Sequence, residues 1–413
     1  MPGTNNKNPY APLKISEFRN FIAGRFVFIM GLRMTGTVIG WWIYQLTNSA
    51  LALGFVGLSE VIPALSLALY AGHHIDKTEK RDLLLKCIAL YTLCIILLLL
   101  LSANFAKTHF TNYTIAAFVC GVIAITGAIR AFSGPTFSAM LSQVVPREQL
   151  STAAAISSAS WLTASIIGHA LGGFLIAITG IHGTFWVILF FIITGFILLT
   201  RLHIKPSFTT APLKTWQSVQ EGIAFVFKTK EILGALTLDL FAVLFGGAVA
   251  LIPVFAKDVL HVGPIGFGWL NAAADIGSIL MVTLLTIRPL QKNQGRILFY
   301  AIGGFGVCII LFALSEIFWL SFAALLMSGC LDGISVIIRG TIVQLKTPDA
   351  LRGRVSSVNS MFINSSNELG QFESGVAAKI MGVVPSVIFG GCMTVVVVIA
   401  TWFKAPTLRK MEY

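Results

Sequence analysis

Ten ionisable side chains stand inside stretches that are otherwise apolar: Arg25, Arg33, Glu60, Arg130, Asp239, Asp275, Asp332, Arg339, Glu368 and Glu373. A charge in hydrocarbon costs roughly 3 kcal/mol on insertion scales, so each must be paired within the protein or placed to handle a ligand or a proton. Counting inward from the nearer end of each stretch, at about 1.5 Å of helical rise per residue, puts Arg33, Glu60, Asp275, Asp332 and Glu368 near the middle of a bilayer. Acids in a low-dielectric cavity are natural carriers of a coupled proton, which makes Glu60, Asp275, Asp332 and Glu368 candidates for that task. Arg33 is the cation best placed to meet an anionic substrate. Asp332 and Arg339 are seven residues apart and stack on one helix face, while Asn364, Glu368 and Gln371 form a second polar stripe. For any one of these residues the alternative is an ion pair that only holds helices in register. His169, in SIIGHALGGFL, is either a buried hydrogen-bonded ring or, if wet, a group that titrates near neutrality.

The elements that carry these groups are membrane helices. Of 413 residues, 56% are hydrophobic and 11% charged, and the mean hydropathy is +0.85, far from a soluble domain with roughly a quarter of its residues charged. Apolar spans fall near 20–46, 51–72, 83–103, 112–134, 153–178, 184–200, 232–255, 266–287, 297–314, 318–344, 356–383 and 384–403. Each is about the length needed to cross a roughly 30 Å hydrocarbon layer. The first span is too long for the core of a signal peptide and is expected to be retained. The fold class is therefore all-α and integral to the membrane, with twelve transmembrane helices. Spans 1, 2, 4, 7, 8, 10 and 11 carry charges, and the interiors of spans 3, 6, 9 and 12 carry none, so those four are expected to face lipid.

The net charge of +12 reports orientation. Of the 29 Lys and Arg, only Lys107 and Lys257 fall in odd-numbered loops, while the termini and the even-numbered loops are rich in them. That asymmetry puts both termini in the cytoplasm and removes the reason to expect a nucleic-acid partner. Six cysteines lie inside apolar spans without a CxxC pair and read as small core hydrophobes. Trp41, Trp42 and Tyr44, near the outer end of span 1, are expected to anchor at the lipid interface.

One long polar interruption divides six spans from six. The expected organisation is a cytoplasmic N-terminus over 1–19, a six-helix bundle over 20–200, a linker over 201–231, a second bundle over 232–403 and a tail over 404–413. Within the linker, Trp216, Val219, Ile223, Val226 and Phe227 recur near helical spacing, which predicts an amphipathic helix on the cytoplasmic surface. SQVVPREQLSTA and QLKTPDALRGRV, nearly half the chain apart, each set Gln, Pro, an acid and Leu at a helix exit. Duplicated bundles with a site between them are a recurrent plan of secondary transporters. There is no GxxxxGK[ST] loop, HExxH or GxSxG motif, no Cys/His cluster with metal spacing, and no room for a nucleotide-binding domain. An enzyme and an ATP-driven pump are both excluded, and no metal or cofactor is expected.

Several motifs resemble the major facilitator superfamily. GHHIDKTEKR, between spans 2 and 3, is similar to its signature GxxxDRxGRR: Gly72, Asp76, Lys77, Lys80 and Arg81 fill the glycine, acid and basic positions, and Glu79 replaces the second glycine. Arg130 with Gly134 resembles the RxxxG element, and Gly168, Gly172 and Gly173 resemble the antiporter pattern GPxxGG, with His169 in place of proline. DLFAVLFGGAVALIPVFAKDVL, SVIIRGTIVQLKTPDALRGRVSSVN and SNELGQFESG resemble the branch of enterobactin exporters and macrolide efflux proteins. The resemblance implies two six-helix bundles rocking about a central site, in a bacterial inner membrane, as a monomer powered by the proton gradient. It also implies that Asp76, with Arg130 near enough to share its charge, latches onto helix 11 and stabilises the outward-open state. The function expected first is proton-coupled efflux of a small amphipathic or anionic molecule, a siderophore or drug-like compound. Import of a siderophore or nutrient, and a lysolipid flippase or transporter-like sensor, remain as alternatives.

Overall fold

The computed structural model describes residues 10–202, 215–348 and 351–412, without the side chains of residues 69, 73, 76, 215–219, 353, 357 and 364. Every regular element among them is helical. Helix α1 (Ser16–Thr47) ends at Asn48, whose left-handed backbone (φ 47°) stops it, and Ser49 then caps α2 (Ala50–Lys77) by accepting from the Ala52 amide. The charged run after Gly72 lies beyond the apolar span expected to end there, yet α2 continues through it to Lys77. Nothing in HHIDK breaks a helix, and the Thr78 hydroxyl, 2.7 Å from the His74 carbonyl, satisfies the last turn. Only Thr78 and Glu79 are extended before α3 (Lys80–Ser102). Helix α4 (Asn112–Val144) is capped by the Thr111 hydroxyl.

Helix α5 (Leu150–Thr200) has 51 residues, broken at Gly180, where φ is 68°. A side chain there would be strained; glycine lets the chain reverse. Before the break α5 lies against α1 at Gly168 and Gly172, and after it Gly31 meets Ile192 and Gly24 meets Leu199. The linker helix α6 (Thr215–Lys228) forms as its periodicity predicts, but its Glu221 pairs with Arg354 and Gly222 abuts the Arg354 backbone. It is docked on protein as well as lying at the rim.

Helix α7 (Lys230–Gly246) is shorter than the single span expected over 232–255. Gly246 and Gly247 interrupt it, and short helical turns at Ala248–Leu251, Ile252–Val254 and Phe255–Val259 continue the chain past Pro253. Then follow α8 (Gly263–Ile287), α9 (Gln294–Leu314), α10 (Phe318–Lys346), α11 (Arg352–Met381) and α12 (Val383–Lys404). Ten segments of the described residues are long and apolar enough to cross a membrane, with α5 counted once. Helix α11 is not among them because Asn367, Glu368, Gln371 and Glu373 interrupt its apolar sequence.

Exposed apolar side chains lie on α3 (Leu90, Leu93, Leu100), on α5 after Gly180 (Trp186, Phe190), on α9 (Tyr300, Leu311) and on α12 (Val396, Phe403), and equally on α8 (Leu280, Leu284, Ile287) and α10 (Trp319, Leu320, Leu345). The four segments without internal charges do expose apolar surface, but α8 and α10 do so too while carrying Asp275, Asp332 and Arg339, because one helix can turn a charged face inward and an apolar face outward. The expected aromatic anchors are a correction: Trp41, Trp42 and Tyr44 are 9%, 2% and 5% exposed. Trp41 packs on Phe267 and Trp42 on Phe185, so interior contacts hold these rings instead of lipid.

Candidate functional site

Arg25, Ile29, Arg33, Gly36 and Gly40 follow one another at four- and three-residue steps and so form one stripe on α1. The stripe fronts open space in mid-helix, since no atom lies within 4 Å of where a side chain would start at Gly36. Higher up, Gly40 meets Pro253 and Phe267, which close the space. Arg33 is half-buried, its guanidinium 4.5 Å above the Trp161 ring, and no carboxylate among the described residues pairs with it. Its charged surroundings are Asp275, Glu368, Glu60 and Arg130.

Asp275 of α8 is held against α5. Ser165 donates to its Oδ2 at 2.5 Å, and His169 Nε2 lies 3.8 Å from the same oxygen. His169 Nδ1 is 2.8 Å from the Thr37 hydroxyl, which completes a chain from α1 through α5 to α8. The ring is thus a partly buried, hydrogen-bonded bridge between elements.

Arg130 is shared. Its Nη1 is 2.5 Å from Glu60 Oε1 and 2.7 Å from Glu368 Oε1, so one guanidinium nitrogen of α4 joins a carboxylate of α2 to a carboxylate of α11. Gln371 donates to the second Glu368 oxygen at 2.9 Å. On the other side, Arg339 of α10 pairs with Asp239 of α7 and reaches Ser335 at 3.2 Å. Asp332, stacked below Arg339 as the seven-residue spacing requires, has no ion pair or hydrogen bond of its own among the described residues. It lines a cavity of about 10 Å³ with Asp239, Ser335, Val243 and Phe305, enough for roughly one water.

The two ends of the molecule differ. At the end opposite the termini, two seams bring helices to backbone contact. A methyl group added at Gly173 of α5 would lie 2.7 Å from the Gly268 Cα of α8, and one at Gly375 of α11 would lie 2.8 Å from the Gly54 Cα of α2. Beside them Tyr44 donates to Asp258, and Lys257 Nζ donates to Asn48 Oδ1 at 2.6 Å while standing 5.1 Å from the Tyr44 ring. At the termini end, Gly72, Gly134 and Gly340 have no neighbour within 4 Å of an added side chain.

A sequence model described as transmembrane secretion effector matches residues 7–413. The chain belongs to that family of major facilitator transporters. An enterobactin exporter, EntS of Shigella flexneri, is 24% identical over 83% of this chain and 80% of its own length. A multidrug efflux pump, Tap of Mycolicibacterium fortuitum, is 22% identical over 92% of this chain and 91% of its own. Among solved structures, a point mutant of the nucleoside transporter NupG matches with a TM-score of 0.75 at 13% identity, covering 94% of this chain and 99% of that one. A D-xylose-proton symporter matches at 0.74 and 12% identity, covering 98% and 100%. The last two establish fold alone. As a member of this family the chain is a membrane transporter for a small molecule and not an enzyme.

For the transporter motifs, the glycines of α5 divide between two neighbours. Gly168 and Gly172 admit α1, and Gly173 admits α8. In the superfamily loop, Lys77 is exposed, Lys80 is buried, and Arg81 donates to the Thr200 carbonyl at 2.6 Å, holding α3 to the end of α5 within the same half. The side chain of Asp76 lies outside the described residues. Tyr44, Asn48, Lys257 and Asp258 carry no motif, and the sequence offers only their place at span ends as a signal; Trp161 and Gly54 were equally hidden among ordinary apolar residues.

Proposed function

We propose that the protein exports a small anionic or amphipathic molecule by alternating access, in exchange for protons. The crossings are α1 to α4, the two arms of α5, and α7 to α12, twelve in all. Helix α11 counts as one because its polar side faces α2 and α7 rather than lipid. Basic residues crowd the termini end, which supports cytoplasmic termini and a bacterial inner membrane. The open end then faces the cytoplasm, where an exported solute loads, and the similarity to two exporters supports that direction.

The observation that carries this reading is Arg33, a cation on the wall of the open space with an aromatic ring beneath it and no carboxylate paired with it among the described residues. An anion with an apolar body satisfies both. Coupling falls to the acids around it. Glu60 and Glu368 share one arginine nitrogen, so a proton on either leaves a neutral pair and weakens a link between halves 20–200 and 232–403. Asp275 and Asp332 are the further proton carriers in this scheme, with Arg339 holding Asp239. Asp76, with Gly72, Lys77, Lys80 and Arg81 around it, serves as latch to α11 in the opposite state, acting as one monomer.

Inverted membrane vesicles pumped acid inside test this with 1-naphthalenesulfonate as probe. Uptake is expected to need the gradient and to fall at least about tenfold in Arg33→Gln, the loss of one charge-assisted contact. Gradient-independent uptake, or full uptake by Arg33→Gln, would refute the reading.

A further inference from the structure

We propose that Arg25 is a second anion-binding subsite on the same cavity wall, where a carboxylate, sulfonate or phosphate group is held before it passes to Arg33. The inference rests on the reading of Arg33 as the central site.

Arg25 precedes Arg33 by eight residues on the α1 stripe, about 12 Å of helical rise toward the open end. Only Ile29 stands between them on that face. Like Arg33, Arg25 is half-buried, stacks on an aromatic ring (Phe137 of α4, 5.5 Å) and has no carboxylate partner among the described residues. Among the described residues its one hydrogen bond goes from Nη1 to the neutral Ser157 hydroxyl of α5, and Nε is buried without a partner. The contrast with the other arginines deep in the spans is direct: Arg130 has two carboxylates and Arg339 has one. An uncompensated guanidinium at this depth is expensive to keep and would be better replaced by an apolar residue unless it met a counter-charge in use. Its planar fork matches oxyanions in bidentate fashion, and the ring of Phe137 orients the plane. Two such cations in line would draw an anion inward from one to the next, each site weak enough to leave.

The purely structural alternative is that Arg25 pins α1 to α5 through Ser157. Equilibrium dialysis of 1-naphthalenesulfonate against the full chain in phosphatidylcholine nanodiscs separates the two. The wild type is expected to bind two molecules, and Arg25→Gln and Arg33→Gln one each. Two molecules still bound by a folded Arg25→Gln, or one bound by the wild type and left unchanged by that substitution, would overturn the subsite. Loss confined to Arg33→Gln would leave the transport reading standing and remove this one; loss confined to Arg25→Gln would leave an anion site at Arg25 but remove Arg33 as the central site, and with it the passage proposed here. Should Arg25→Gln fail to insert, Arg25→Lys decides, since it keeps the charge and loses the fork. One of its two sites is expected to weaken severalfold, and unchanged affinity at both would overturn the proposal. Adding phosphatidylglycerol to the discs distinguishes the source of the anion: displacement of the Arg25-bound probe by that lipid would assign the site to a headgroup and overturn the solute subsite.

Discussion

The end of the molecule opposite the termini is closed by backbone, and the termini end is not. At Gly173 with Gly268 and at Gly54 with Gly375, helices of different halves touch without intervening side chains. Contacts of that kind gain dispersion over a narrow area but tolerate no added atom, so they can form or part as units. The Tyr44–Asp258 and Lys257–Asn48 bonds beside them are polar and can be exchanged for bonds to water at modest net cost when the seam opens. Around Gly72, Gly134 and Gly340 nothing comparable exists. In the alternating-access scheme proposed above, the glycine seams would be the closed gate of one state, and Gly72, Gly134 and Gly340 would mark where the other state closes.

The ionic links between the two ends set the largest expected effect. Arg130→Gln leaves Glu60 and Glu368 facing each other without their shared cation, a loss of up to about 3 kcal/mol, less than for a fully buried pair because the Arg130 side chain is 37% exposed. The expected outcome is a transport-dead protein with clearly lower thermal stability, read by fluorescence-monitored unfolding; an unchanged melting temperature would contradict the shared-arginine role. Gly173→Val comes next. Overpacking costs about 1–3 kcal/mol, which should shift the population away from the closed seam and raise thiol labelling of a cysteine placed at Gln45, at that end. Equal labelling in both proteins would mean the seam is not a gate. Tyr44→Phe removes one hydroxyl bond, worth about 1 kcal/mol, and should open the same end less. Lys257→Ala touches a contact at the rim, where about 0–1 kcal/mol is usual, so its effect should be small and should vanish in high salt.

Much of this architecture is legible in the sequence because one quantity, transfer into hydrocarbon, dominates it. Span positions follow from that alone; the crowding of Lys and Arg at one end follows from the orientation bias of insertion, and the apolar outer faces of α8 and α10 are hidden by the charges those helices also carry. Partners do not follow. Spacing stacks Asp332 with Arg339, but helix rotation turns Arg339 toward Asp239 instead. Likewise Arg130 reaches Glu60 and Glu368 because α2, α4 and α11 present these residues to one point, and hydropathy carries no azimuth. The break after Gly246 was masked by a continuous apolar run, and the helix through Gly72–Lys77 by its polarity: composition there spoke of solvent, while backbone propensity decided the conformation. Trp41 and Trp42 sit at the depth of an interface but face inward, again a matter of rotation.

The central claim is that the open and closed ends exchange. Electron–electron double resonance in a cysteine-free background measures it, with one label pair at Gln45 and His261 on the closed end and another at Lys77 and Gln344 on the open end. On lowering the pH, the first distance should lengthen as the second shortens, in the same fraction of molecules. Two distances that stay fixed, or that change in the same direction, would contradict an alternating-access exporter.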